Sequence, residues 1–138
     1  MFRRLRRRFS RRKPYRVGRG AGGMVDGEVL AAMGVSARTL VREGPLRVTL
    51  VGLGPRGELA PHRAVGPIAI HVVSGELDFR VDGERQRLRA GDVLSLAAGV
   101  VHDVESYGGA RFLLTLVDPG ECSRWEHGRE DSEEGSCR

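Results

Sequence analysis

The stretch Gly57–His102 limits this chain more than any other part of it. It is built from short apolar runs separated by turn dipeptides, with no sustained helical period. Glu76–Asp82 alternates strictly, so that Leu77, Phe79 and Val81 fall on one face and Glu76, Asp78, Arg80 and Asp82 on the other. A two-residue period of this kind is a strand with one buried side. Asp82-Gly83 follows at once, and that dipeptide suits a hairpin turn whose central residues need positive φ. Glu84–Ala90 then reads as the returning strand. Gly91-Asp92 turns the chain again before Val93–Ala97.

The flanks repeat the theme. Arg38–Arg42 and Leu46–Leu53 read as strands, punctuated by Gly44-Pro45 and Gly54-Pro55, and Leu46, Val48 and Leu50 share a face. Ile68–Val73 is a dense apolar run, short enough for a strand. Ala110–Val117 is the last strand, and Asp118-Pro119-Gly120 closes the unit. Gly27–Met33 is the one short helical turn. Many short strands with frequent turns predict an all-β barrel or sandwich.

Charge divides the chain into three parts. Residues 1–23 hold nine Arg, one Lys and no acid (+10); residues 24–120 hold ten Arg against twelve acids (−2); residues 121–138 hold three Arg against six acids (−3). The ends cannot bury enough apolar surface to fold, so a disordered basic arm (1–23), a β-barrel domain (24–120) and a disordered acidic tail (121–138) are expected. Nucleic acid is an expected partner only through the 1–23 arm, where phosphate attraction would be strongest. Arg outnumbers Lys 22 to 1 in the whole chain, which fits a codon-composition bias rather than selection for phosphate contacts. Met24 opens the first ordinary segment and competes with Met1 as the start. No apolar run reaches the roughly 18–20 residues of a membrane span, and the arm lacks the apolar core of a leader peptide. Cytoplasm is therefore the expected compartment, with no membrane partner. The two cysteines, Cys122 and Cys137, lie in the tail and cannot staple the body. With His127 they form Cys-x4-His-x9-Cys, which matches no standard zinc spacing.

Gly57…His62…Gly75, followed by Gly91-Asp92…Gly99-x-x-His102, resembles the two paired motifs of the cupin superfamily. The pieces Val-Val-Ser-Gly-Glu-Leu and Ala-Gly-Asp-Val-Leu are typical of its small single-domain members. The resemblance implies a small double-stranded β-helix, that is, a cupin or jelly-roll barrel, and a homodimer. Metal-carrying cupins ligate the ion with two motif-one histidines, a glutamate and a motif-two histidine. Here the first and last are kept as His62 and His102. The second histidine position is Ala64, and the glutamate position, counted back from Gly75, is Ile68. The motif-two proline is Ala97 and its asparagine is Ser106.

Two histidines alone make a poor divalent site, since catalytic zinc keeps three protein ligands and non-haem iron uses two His and a carboxylate. If Ile68 points inward, Ile70 and Val72 do too, and His71 points out. Asp103 and Glu105 have the wrong parity beside His102, whereas Glu58 stays open as a third ligand. The expected ligand pocket is then His62, Ile68, Ile70, Val72, Leu94, Leu96 and His102, with metal ligation limited to His62 and His102. Such a pocket is apolar with a few convergent polar groups, which describes both a small-molecule site and an ordinary barrel core. Two functions follow. One is a small-ligand-binding cupin with a degenerate or absent metal site, holding no cofactor or a weakly held divalent metal. The other is a metal-dependent cupin enzyme of dioxygenase or isomerase type that uses His62 and His102. Fold alone does not choose between them.

Overall fold

A computed structural model describes residues 14–18 and 27–120. The expectations made for Cys122, His127, Cys137 and most of the basic arm lie outside those residues. Chain order is α1 (Gly27–Met33), β1 (Val35–Glu43), β2 (Leu46–Pro55), β3 (Glu58–His62), β4 (Ile68–Val81), β5 (Glu84–Arg89), β6 (Val93–Leu96), β7 (His102–Glu105) and β8 (Gly108–Val117). All strand pairs are antiparallel, in the order β1-β2-β8-β4-β7-β3, with β5 and β6 also on β4. The result is an all-β curled sheet of the cupin type.

β4 is the hinge of this arrangement. Its first half pairs with β6 and β8, and its second half pairs with β5 and β7. The sequence suggests two strands here, Ile68–Val73 and Glu76–Asp82; the protein has one 14-residue strand with a register shift between Val72 and Ser74. A bulge inserts one residue, bends the strand and reverses which parity faces inward. Ile68, Ile70 and Val72 are therefore buried before the shift, and Leu77 and Phe79 after it. Gly75 follows the bulge at φ 76°, and a Cβ there would run into the carbonyl oxygen of Gly109. Only glycine meets both demands.

The Asp82-Gly83 turn connects Val81 to Glu84 as a two-residue hairpin, with φ of 51° and 78° at its centre. That is the geometry its sequence called for. The main core lies between the two halves of the sheet and is centred on Val51, Leu53, Ile70, Val72, Phe79 and Phe112. A second, smaller cluster sits on the outer face, where Leu40 and Leu50 are covered by Val17, Leu30, Val41 and Leu113. The Leu46, Val48, Leu50 face is thus the outer one, grading from 38% exposure at Leu46 to 0% at Leu50. β2 is buried on both sides at its far end, and its sequence stops alternating there for that reason.

The outer face of the β3-β7-β4-β5 layer is a field of ion pairs. Arg80 bridges Asp103 at 2.6 Å and Glu105 at 2.9 Å, and Asp78 takes Arg87 at 3.2 Å. This fixes the parity of β7: Asp103 and Glu105 are turned away from the interior and held there.

Candidate functional site

β3 and β7 carry the two motif histidines and bring them together. His62 and His102 are direct cross-strand partners, and residues so paired project from the same face. Their ring centroids are 4.3 Å apart, edge to face at 62°. His102 also stacks on Phe79 at 5.2 Å, with the planes only 14° apart. His102 is buried, at 4% exposure, whereas His62 is open to solvent.

Each ring is pinned by its own strand. Nδ1 of His62 donates to the carbonyl of Ala60 at 2.7 Å, and Nδ1 of His102 donates to the carbonyl of Val100 at 2.9 Å. A carbonyl oxygen only accepts, so in the neutral ring the proton sits on Nδ1 and Nε2 keeps its lone pair. Burial lowers the His102 pKa, and the neighbouring His62 pushes in the same direction; the Val100 carbonyl and Asp103 oppose them. His102 therefore gives up its proton more readily than an ordinary histidine, and its neutral ring keeps Nε2 as an acceptor.

Strand register extends the row. His102 pairs with Val81, and Val81 with Glu84, so the inner rung reads His62, His102, Val81, Glu84. The next rung is Val104, Phe79, Gln86. A cavity of about 340 Å³ opens against these residues, lined by Phe79, Val81, Asp82, Glu84, Gln86, Leu94 and Leu96. Leu94 and Leu96, expected in the pocket from sequence, line it. Ile68, Ile70 and Val72 are in the packed core and are not among the lining residues. The histidine pair adjoins the cavity through Phe79 and Val81. Phe79, Val81, Asp82, Glu84 and Gln86 also line this cavity and are not among the pocket residues the sequence points to. The alternation Glu84, Gln86, Leu88 against Arg85, Arg87, Arg89 is the signal that finds them, because buried Leu88 marks the inward parity.

The donor set does not fit the four-ligand metal centre of the family. Ala64 and Ile68 offer no donor atom. Glu58 pairs with Glu105, so it shares the outward face. Glu84 is on the histidine rung but two strands from His102, roughly 10 Å at the usual strand spacing. Zinc ligands lie about 2 Å from the ion. Among the described residues no group of three or more His, Cys, Asp or Glu side chains is placed to hold a metal.

A curled antiparallel sheet with two cross-strand histidines on its inner face defines a class of protein, and comparison with known proteins names it. The chain belongs to the cupin domain family, whose model matches residues 49–118, just over half of the 138. A conserved Streptococcus pyogenes protein of unknown function is 26% identical, with a TM-score of 0.58, over 63% of this chain and 76% of its own. A cupin 2 conserved barrel domain protein from Salinispora arenicola reaches a TM-score of 0.62 at 18% identity, over 70% of this chain and 87% of its own. An RmlC-like cupin from Shewanella frigidimarina gives 0.58 at 24% identity, over 61% and 76%. The last two likenesses bear on the fold alone. No curated protein matches. Among the described residues no helix is long and apolar enough to cross a membrane.

Proposed function

We propose that this cupin binds a small molecule on the inner face of its β3-β7-β4-β5 layer, with His62 and His102 as the polar groups that orient it. The pinned histidine pair carries this reading. Two imidazoles are held edge to face by backbone hydrogen bonds at Nδ1, which leaves Nε2 of each neutral ring as the acceptor, and Phe79, which stacks on His102, lines a cavity whose floor is apolar. Preorganised acceptors of this kind bind a ligand hydroxyl or amide N–H without first having to be ordered. A neutral His102 also suits proton transfer near neutral pH. The test is a fragment screen followed by amide chemical-shift mapping. Ligands that move the amides of His62, Phe79, Val81 and His102, and lose affinity in His62→Ala, support the reading. Fragments that bind only on the outer faces would end it.

The second reading is a metal-dependent enzyme of dioxygenase or isomerase type. One observation favours it: Nδ1 bonds to carbonyls are the support that metal-ligating imidazoles commonly have. Metal content that follows His62 separates the two. Residues 24–120 would be the working domain, in a cytoplasmic homodimer joined through the outer face of the β6-β4-β8 layer, where Val93 and His71 are exposed. A monomer mass by light scattering at micromolar concentration contradicts the dimer. Any nucleic-acid binding belongs to the 1–23 arm, so its deletion should abolish it, because residues 24–120 are net negative.

A further inference from the structure

The cavity beside the histidine pair has a charge pattern that selects its ligand. Its floor is carbon: Phe79, Val81, Leu94 and Leu96. Its polar residues are Asp82, Glu84 and Gln86, and none of its seven lining residues is basic. The nearby arginines are on the other side of the sheet. Arg85 and Arg87 alternate with Glu84 and Gln86, and both are turned outward onto Asp78, at 3.8 and 3.2 Å. No cationic side chain among the described residues pairs with Asp82 or Glu84. Asp82 lies in the Asp82-Gly83 turn, where the strand alternation ends, and Glu84 follows it; both line the cavity, and Val81 separates Glu84 from His102 on the inner rung.

We infer that the ligand is a small amine, protonated at neutral pH, with an apolar body: the body fills the space over Phe79, Leu94 and Leu96, and the ammonium group sits between Asp82 and Glu84. An ammonium group donates three hydrogen bonds and accepts none, which suits the two carboxylates and the amide oxygen of Gln86 among the lining residues. A ring face such as that of Phe79 also attracts a cation placed over it. An anionic ligand would face two like charges, and none of the seven lining residues is basic to offset them. The volume of about 340 Å³ falls within the range of roughly 300–1,000 Å³ that holds small molecules. The inference rests on the reading of the barrel interior as a ligand site, and narrows it to one chemical class.

Three probes with nearly the same body test it: 2-phenylethylammonium, 2-phenylethanol and phenylacetate, each titrated into the isotope-labelled full chain and followed by amide shifts. Exposed ion pairs are individually weak, so two acting on one ammonium group set a preference of about tenfold for the cation over the anion. The expected result is saturable movement of the Phe79, Glu84, Leu94 and Leu96 amides with the cation, and loss of the preference in the Asp82→Asn/Glu84→Gln double variant. Both positions are exposed, and asparagine tolerates the left-handed backbone of Asp82, so the variant keeps the fold. Equal binding of all three probes at these amides would overturn the charge selection while leaving the interior as the ligand site. Binding of none of them at these amides would overturn both.

Discussion

Lowering the pH from about 8 to about 5 should destabilise this protein through one residue, His102. The folded-state pKa of His102 lies below its ordinary value, chiefly because the ring is buried and secondarily because His62 is beside it. In the unfolded chain the same ring returns to about 6.5. Between those two values the unfolded state binds a proton that the folded state refuses. Stability is therefore fully present above about 6.5 and falls as pH drops through the window below it, by at most about 1.4 kcal/mol per pH unit for a single group. Below the folded-state pKa this loss levels off. The assay is urea denaturation across the pH series, for the wild type and for His102→Gln. The variant starts less stable but should lack the part of the slope that sets in as pH falls below about 6.5. Nitrogen-detected NMR titration of the imidazoles gives the direct check, and also reports the proton on Nδ1. A His102 titrating at or above the ordinary value, or identical slopes in the two proteins, would refute the argument that burial holds this ring neutral.

Gly75→Ala should be severely destabilising, because the backbone is left-handed there and the added methyl meets the Gly109 carbonyl; a loss of about 2 kcal/mol or more in denaturant unfolding is expected. Phe79→Ala removes a core ring that also stacks on His102, so it should cost about 3–5 kcal/mol and move the His102 titration back toward its ordinary value. Ser106 is fully buried and donates to the Glu76 carbonyl at 2.8 Å. Ser106→Ala should cost about 1 kcal/mol, whereas Ser106→Asn, a larger amide at the same fully buried position, should cost about 1–3 kcal/mol by overpacking. Both are measured by thermal or chemical unfolding.

Much of the barrel was legible because its central hairpin writes its period plainly. Leu77, Phe79 and Val81 alternate with charged partners, and Asp82-Gly83 specifies the turn. What was not legible has physical causes. β3 contains Pro61, which cannot donate to a ladder; it survives because β3 ends the strand order, and a proline there reads as loop from sequence alone. The bulge after Val72 joins two apparent strands into one, and nothing in Val73-Ser74-Gly75 distinguishes a bulge from a turn. The pairing of His62 with His102, forty residues apart in the chain, came from the family motif and not from the local pattern. Glu84 and Gln86 were overlooked because a polar strand reads as solvent-exposed until buried Leu88 fixes its inward side.

The central claim is that the interior of this cupin works with two imidazoles in place of a four-ligand metal centre. Elemental analysis of untagged full-length protein, with His62→Ala alongside, tests it most directly. The account predicts iron, manganese, zinc and nickel far below one equivalent in both proteins. Close to one equivalent of any of them in the wild type, lost in His62→Ala, would contradict it.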